Sequence, residues 1–187
     1  MNLILKLVIS IQILLLCSNS FSQGITKRAL FLGNSYTYVN DLPLLVEQVA
    51  LSAGDTLIRD VNAPAGYTLQ GHSSNATSLD KIKLGTWDYV ILQDQSQRPS
   101  FPDNQVANEV YPFARQLDSV IRANNDSCVE TVFYMTWGRK NGDSDNCQFW
   151  PPICTYEGMD SLLRLRYIEM AQQNKGIVSP VGAVWRE

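Results

Sequence analysis

The chain has 187 residues, with 15 Lys and Arg against 18 Asp and Glu for a net charge of −3, one histidine and four cysteines. No basic or acidic block stands out, so composition argues against a nucleic-acid or anionic-membrane partner. One histidine and no zinc-type cysteine spacing leave no metal site to expect.

The first 22 residues read as a secretory leader. Lys6 lies within an apolar run from Leu3 to Leu16, and Ser20-Phe21-Ser22 places small residues where a signal peptidase cuts, so cleavage is expected after Ser22 and the product is expected to be secreted or periplasmic. The uninterrupted apolar part is shorter than the roughly 20 residues a membrane span needs. Residues 23–187 then form a single domain with one core, and no repeat or linker divides them.

Ala29 to Leu32 is a short apolar run bounded by Gly33 and reads as a buried parallel strand that delivers Ser35 at its carboxyl end. Asn40 or Asp41 caps the first helix, with Pro43 in its first turn and Leu44, Leu45, Val46, Val49 and Ala50 as its stripe. Thr56 to Val61 is the second strand. The loop after it carries Gly66, whose bare backbone can bring its amide close to a ligand.

A weak helix is expected over Ser73 to Leu84, and a third strand over Tyr89 to Leu92 that exits into an amide-rich run from Gln93 to Pro99. From Asp103 to about Asn124 the apolar spacing predicts a long amphipathic helix, kinked or broken at Pro112. Glu130 to Thr136 is the fourth strand. After a long polar excursion from Arg139 to Thr155 comes a helix carrying Leu162, Leu163, Leu165, Tyr167, Ile168 and Met170, and Gly176 to Trp185 reads as a fifth strand.

Three cysteines follow the leader. Cys147 and Cys154 flank a Pro-Pro turn at a spacing that can close a small covalent ring, which leaves Cys128 as a buried free thiol. Alternating strands and helices demand parallel pairing, so the expected fold is a doubly wound three-layer α/β/α sandwich of about five strands. In such a sheet the exits at Ser35, Gly66, Gln93 to Ser96 and Trp137 gather along one edge, where ligands bind. A serine there, with the amides of Ser35 and Gly66 and a side-chain amide of Gln93 or Gln95, supplies a nucleophile and oxyanion donors for acyl transfer to water.

These runs resemble the motif blocks of the SGNH/GDSL hydrolase superfamily. Leu30-Phe-Leu-Gly-Asn-Ser-Tyr-Thr37 is similar to the nucleophile block in its Gly-Asn-Ser branch, Ala65-Gly66-Tyr-Thr-Leu69 to the second block, and Trp87-Asp-Tyr-Val-Ile-Leu-Gln-Asp-Gln-Ser96 to the third, with Gln95 at the usual asparagine. The resemblance implies Ser35 as nucleophile, an oxyanion hole from Ser35 N, Gly66 N and Gln95 or Gln93, and no cofactor. It also implies a small-molecule or glycan ester as substrate, acetylated carbohydrate among them, and a monomer.

The family's Asp-x-x-His block is absent: the one histidine, His72, has Leu69 three residues before it. The block normally follows the strand that Ile177 to Val184 resembles, so the expectation is a C-terminally incomplete domain with impaired activity. Loss of a triad histidine typically costs about 10⁶ in kcat. His72 is the candidate substitute base, against its alternative as a locally bonded loop histidine. The competing functions are a non-catalytic glycan-binding protein on this scaffold and a non-functional gene fragment. Tyr36, Tyr38, Tyr67, Trp137 and Trp150 are of the kind that rims sugar sites, although such rings are commoner in cores.

Overall fold

The structure is a computed structural model that describes residues 24–185, so the expected leader lies outside the described residues. Five parallel strands, β1 (Thr26–Leu32), β2 (Thr56–Asn62), β3 (Tyr89–Leu92), β4 (Glu130–Tyr134) and β5 (Ile177–Ser179), form one sheet in the order β2-β1-β3-β4-β5. The chain first moves outward from β1 to β2 and then crosses back to β3. That reversal opens a crevice between the carboxyl ends of β1 and β3.

Side chains alternate across the sheet. On one face Leu30, Leu32, Val90, Leu92 and Phe133 join a continuous core with five helices. These are α3 (Leu69–Ser74), α4 (Ala76–Ile82), α5 (Asp103–Glu109), α6 (Tyr111–Asn124) and α7 (Tyr156–Asn174). The opposite face presents Ala29, Phe31, Tyr89, Ile91, Val132 and Tyr134. Among the described residues one long helix, α2 (Leu42–Ser52), lies over that face, and an apolar groove of about 370 Å³ between them is lined by Leu42, Val46 and Ala50 of the helix. Leu45, Val46, Val49 and Leu51 of α2 remain exposed.

Sequence and structure agree at some boundaries, the Asp41 cap and the break near Pro112 among them, and part at others, each for a local reason. A one-turn helix, α1 (Ser35–Tyr38), starts at the serine itself, capped by the Asn34 side chain. Asp41 caps α2 by accepting from Leu44 N at 3.3 Å. The single helix expected over Ser73 to Leu84 is two, because Asn75 leaves the helical region and caps α4 by accepting from Ser78 N. The long helix from Asp103 breaks at Val110, before Pro112. The fifth strand is only three residues long: Pro180 ends it, and α8 (Val181–Val184) follows.

Cys147 and Cys154 form a disulfide with Cα atoms 4.8 Å apart. Cys128 is not the buried thiol expected; it is exposed in the turn leading into β4, where its N–H donates to Asp126 Oδ1. No helix of the described residues is long and apolar enough to cross a membrane.

Candidate active site

β1 ends at Leu32, and the turn that follows is held by buried side chains beneath it. Gly33 has no room for a side chain: a Cβ there would lie 2.2 Å from Thr37 Oγ1 and 2.6 Å from Gln93 Oε1. The peptide between Gly33 and Asn34 is gripped at both ends. Its carbonyl oxygen accepts from His72 Nε2 at 2.9 Å, and its N–H donates to Gln93 Oε1 at 3.0 Å. Gln93 Oε1 also accepts from Thr37 Oγ1 at 2.8 Å, and Gln93 Nε2 donates to Asn34 Oδ1 at 3.0 Å and to Asp94 O.

Asn34 links this turn to the loop of the second block. Its Nδ2 donates to Tyr67 O at 2.7 Å, one residue beyond Gly66, whose φ of 69° suits a residue without a Cβ. The N–H groups of Ser35 and Gly66 have no acceptor among the described residues. Ser35 is half-buried and opens onto a cleft of about 510 Å³. Asn40 lines the same cleft with φ 57°, and Asp41 follows with φ 49°, two left-handed residues in succession at its rim.

His72 is not placed to serve as a base. It is fully buried, its Nε2 is bonded to Gly33 O, and its Nδ1 lies 2.8 Å from Ser78 Oγ. Burial holds its pKa below the ordinary imidazole range, although the bond to Gly33 favours the charged form. The neutral ring with a proton on Nε2 satisfies both neighbours: it donates to the carbonyl and accepts the Ser78 hydroxyl. Its geometry is that of a strut under the turn that carries Ser35.

Gln93 is wholly buried in the clamp and spends both amide hydrogens there, on Asn34 Oδ1 and Asp94 O. Gln95 closes its own turn, with Nε2 donating one hydrogen to Gln97 Oε1 and Oε1 accepting from Gln97 N and Arg98 N. Of the two expected side-chain donors to the oxyanion hole, Gln93 is therefore fully engaged elsewhere, and Gln95 keeps a second Nε2–H. Trp87 and Asp88, which carried part of the motif resemblance, lie at the far end of β3. There Asp88 accepts from Lys27 Nζ at 2.7 Å and from Arg28 N at 2.8 Å, anchoring strand starts.

Between the two glutamines sits Asp94, fully buried. Its Oδ1 accepts from Leu69 N at 3.0 Å and Gln95 N at 2.7 Å, while Oδ2 has no partner. Burial pushes its carboxyl up to about 6 despite those two bonds. Among the described residues no group of three or more His, Cys, Asp or Glu is arranged to hold a metal.

Aromatic rings flank Ser35. Tyr36 stacks on Trp137 with centroids 4.9 Å apart, and Trp137 meets Trp185 at 5.7 Å. Of the expected rim residues, Tyr36 and Trp137 line the cleft, whereas Trp150 donates its Nε1–H to Ser100 O in the disulfide-bearing excursion and Tyr67 packs edge-on against His72. Trp185 was not legible as a site residue, because it was read as part of a strand.

Solved structures superpose on this fold. A Slackia heliotrinireducens protein assigned to the SGNH hydrolases superposes with a TM-score of 0.69 at 20% identity, over 86% of this chain and 82% of its own. The fold is that of the SGNH hydrolases. A DUF4886 family protein of Bacteroides uniformis shares this SGNH fold with a TM-score of 0.68 at 15% identity, over 84% and 68% of the two chains. The acetyl xylan esterase Axe2 of Geobacillus stearothermophilus does so with 0.55 at 15% identity, over 86% and 78%. No protein-family model and no curated sequence matches the chain.

Proposed function

We propose that the protein is an exported serine ester hydrolase of SGNH type, with Ser35 as nucleophile and acetylated carbohydrate among its substrates. The observation that carries this is the placement of Ser35. A buried clamp fixes the preceding peptide, two unbonded N–H groups stand on adjacent loops, and a cleft opens at the switch point of the sheet. Ser35 Oγ attacks the ester carbonyl carbon, the N–H groups of Ser35 and Gly66 bind the oxygen that becomes negative, and the alcohol leaves with a proton. Water then releases the acyl group. No cofactor is required. The disulfide is compatible with export, and an acetyl xylan esterase among the structural neighbours is compatible with the carbohydrate ester.

The residues lining the Ser35 cleft include no imidazole and no carboxylate among those described. The serine's proton therefore lacks an acceptor there, an observation that favours a second reading, glycan binding without hydrolysis. Added imidazole separates the two. With 4-nitrophenyl acetate, the esterase reading expects slow turnover that is lost in Ser35→Ala, and a saturable increase with imidazole beyond the imidazole background of that variant. Equal rates for both proteins at every imidazole concentration would leave only the binding reading.

A further inference from the structure

The rings beside Ser35 form a ridge between two unlike clefts. On one side is the Ser35 cleft, floored by Val39, Leu42, Leu45 and Val181 and therefore mostly apolar. On the other side is a more open and polar cleft of about 620 Å³ lined by Gly138, Arg139, Lys140, Tyr156 and Glu157. Tyr36, Trp137 and Trp185 line both. An ester has the same asymmetry, an acyl group on one side of the reacting carbon and an alcohol on the other.

We propose that the Tyr36-Trp137-Trp185 ridge is a stacking platform for the sugar rings of an O-acylated oligosaccharide, whose acyl group lies on Ser35 and whose hydroxyls reach the polar cleft. The ring geometry is built rather than incidental. Tyr36 follows Ser35 by one residue, so its position is fixed by the same clamp, and its face-to-face stack on Trp137 backs the ring beside which Trp185 presents an open indole face. Trp137 is the exit of β4. Next to it, Gly138 cannot carry a side chain, since a Cβ would lie 2.6 Å from Tyr156 O. Arg139 is held by Asp143 Oδ1 at 3.0 Å and by Gln97 Oε1, so it presents a fixed donor wall and not a mobile charge.

Trp185 closes the row with 67% of its surface exposed, a large apolar face to leave in water beside polar groups. Sugars suit such a surface: the C–H face of the ring covers the indole while the hydroxyls bond to neighbouring polar groups. An acyl chain suits it less, because the polar cleft beyond the ridge would meet hydrocarbon.

The inference rests on Ser35 marking the reacting end of the cleft, and binding tests it separately from turnover. The whole protein carrying Ser35→Ala is titrated with xylotriose, cellotriose and chitotriose, each O-acetylated, while tryptophan emission is followed. At least one should bind saturably, and adding Trp185→Ala should raise its Kd about tenfold, the loss of one stacked ring. Phe149→Ala, at an exposed ring in the disulfide loop, serves as control and should leave Kd unchanged. No saturable binding by any of the three, or an unchanged Kd in Trp185→Ala, overturns the platform; so does displacement of the sugar by octanoate at lower concentration, which assigns the ridge to acyl chains. Sugar binding that persists while Ser35→Ala leaves ester turnover intact would instead end the hydrolase reading and keep the platform.

Discussion

The two faces of the sheet are made from alternate residues of the same strands, yet they differ in almost every physical respect. One face sets Leu30, Leu32, Val90, Leu92 and Phe133 against five helices in one unbroken core. The other sets Phe31, Ile91 and Val132 against α2, the one long helix described on that face, with a groove beside it that Val181 also lines and apolar side chains exposed on the helix. The packed face reaches the Ser35 turn from below through His72 and the clamp, whereas the Ser35 cleft lies toward the thin face, sharing Leu42, Tyr134 and Val181 with its groove. Stability and access are thus divided between the two sides of one sheet.

The largest test of that division is a core truncation. Phe133→Ala, at a residue with no exposed surface on the packed face, should cost about 4 kcal/mol by urea denaturation. His72→Ala comes next. It removes a buried ring and leaves Gly33 O without its partner, while Ser78 Oγ keeps Asn62 and Asn75, for about 3 kcal/mol, and loosens the turn that carries Ser35. A His72→Ala protein as stable as the parent would show that the packed side does not support the site.

Asp94 gives a pH-dependent version of the same test. Its folded pKa of about 6 stands above the unfolded value of 3.8, so the stabilisation it brings is fully present below pH 3.8 and is lost as pH rises through 6. The loss reaches ~3 kcal/mol at most. Asp94→Asn should remove that fall from urea midpoints measured across this range, and an identical pH profile in parent and variant would refute it. His72 acts in the opposite sense, because a lowered imidazole pKa contributes stability above pH 6.5 that is lost as pH falls through the folded value.

The smallest effect belongs to the thin face. Val49 on α2 is 69% exposed, and Val49→Lys should change stability by less than about 0.5 kcal/mol. The same change should lower binding of an apolar dye such as anilinonaphthalene sulfonate. A destabilisation comparable to that of Phe133→Ala would erase the distinction between the faces.

The parallel sheet was legible in the sequence because its strands are short apolar runs separated by helical periods, a pattern that leaves few alternatives. The turn that carries Ser35 at the end of β1 was legible because glycine, asparagine and serine follow such a run directly. Roles that depend on a partner were not. His72 carries the same chemistry as a strut or as a base, and only the bond from Nε2 to Gly33 O distinguishes them. Gln93 and Gln95 look alike as amides, but the first faces inward and the second turns back on Gln97. Trp185 was hidden behind Pro180, which converts an expected strand into a helix and swings the indole toward Trp137.

The strand order β2-β1-β3-β4-β5 has a consequence for how such a protein changes over time. Its crevice exists because the chain reverses direction between β1 and β3, and no particular side chain is needed to create it. The location is inherited with the routing of the backbone, so the loops that furnish it are free to diverge while the strands beneath stay in register. Structures with only 15 to 20% of residues in common with this chain can therefore keep the same fold.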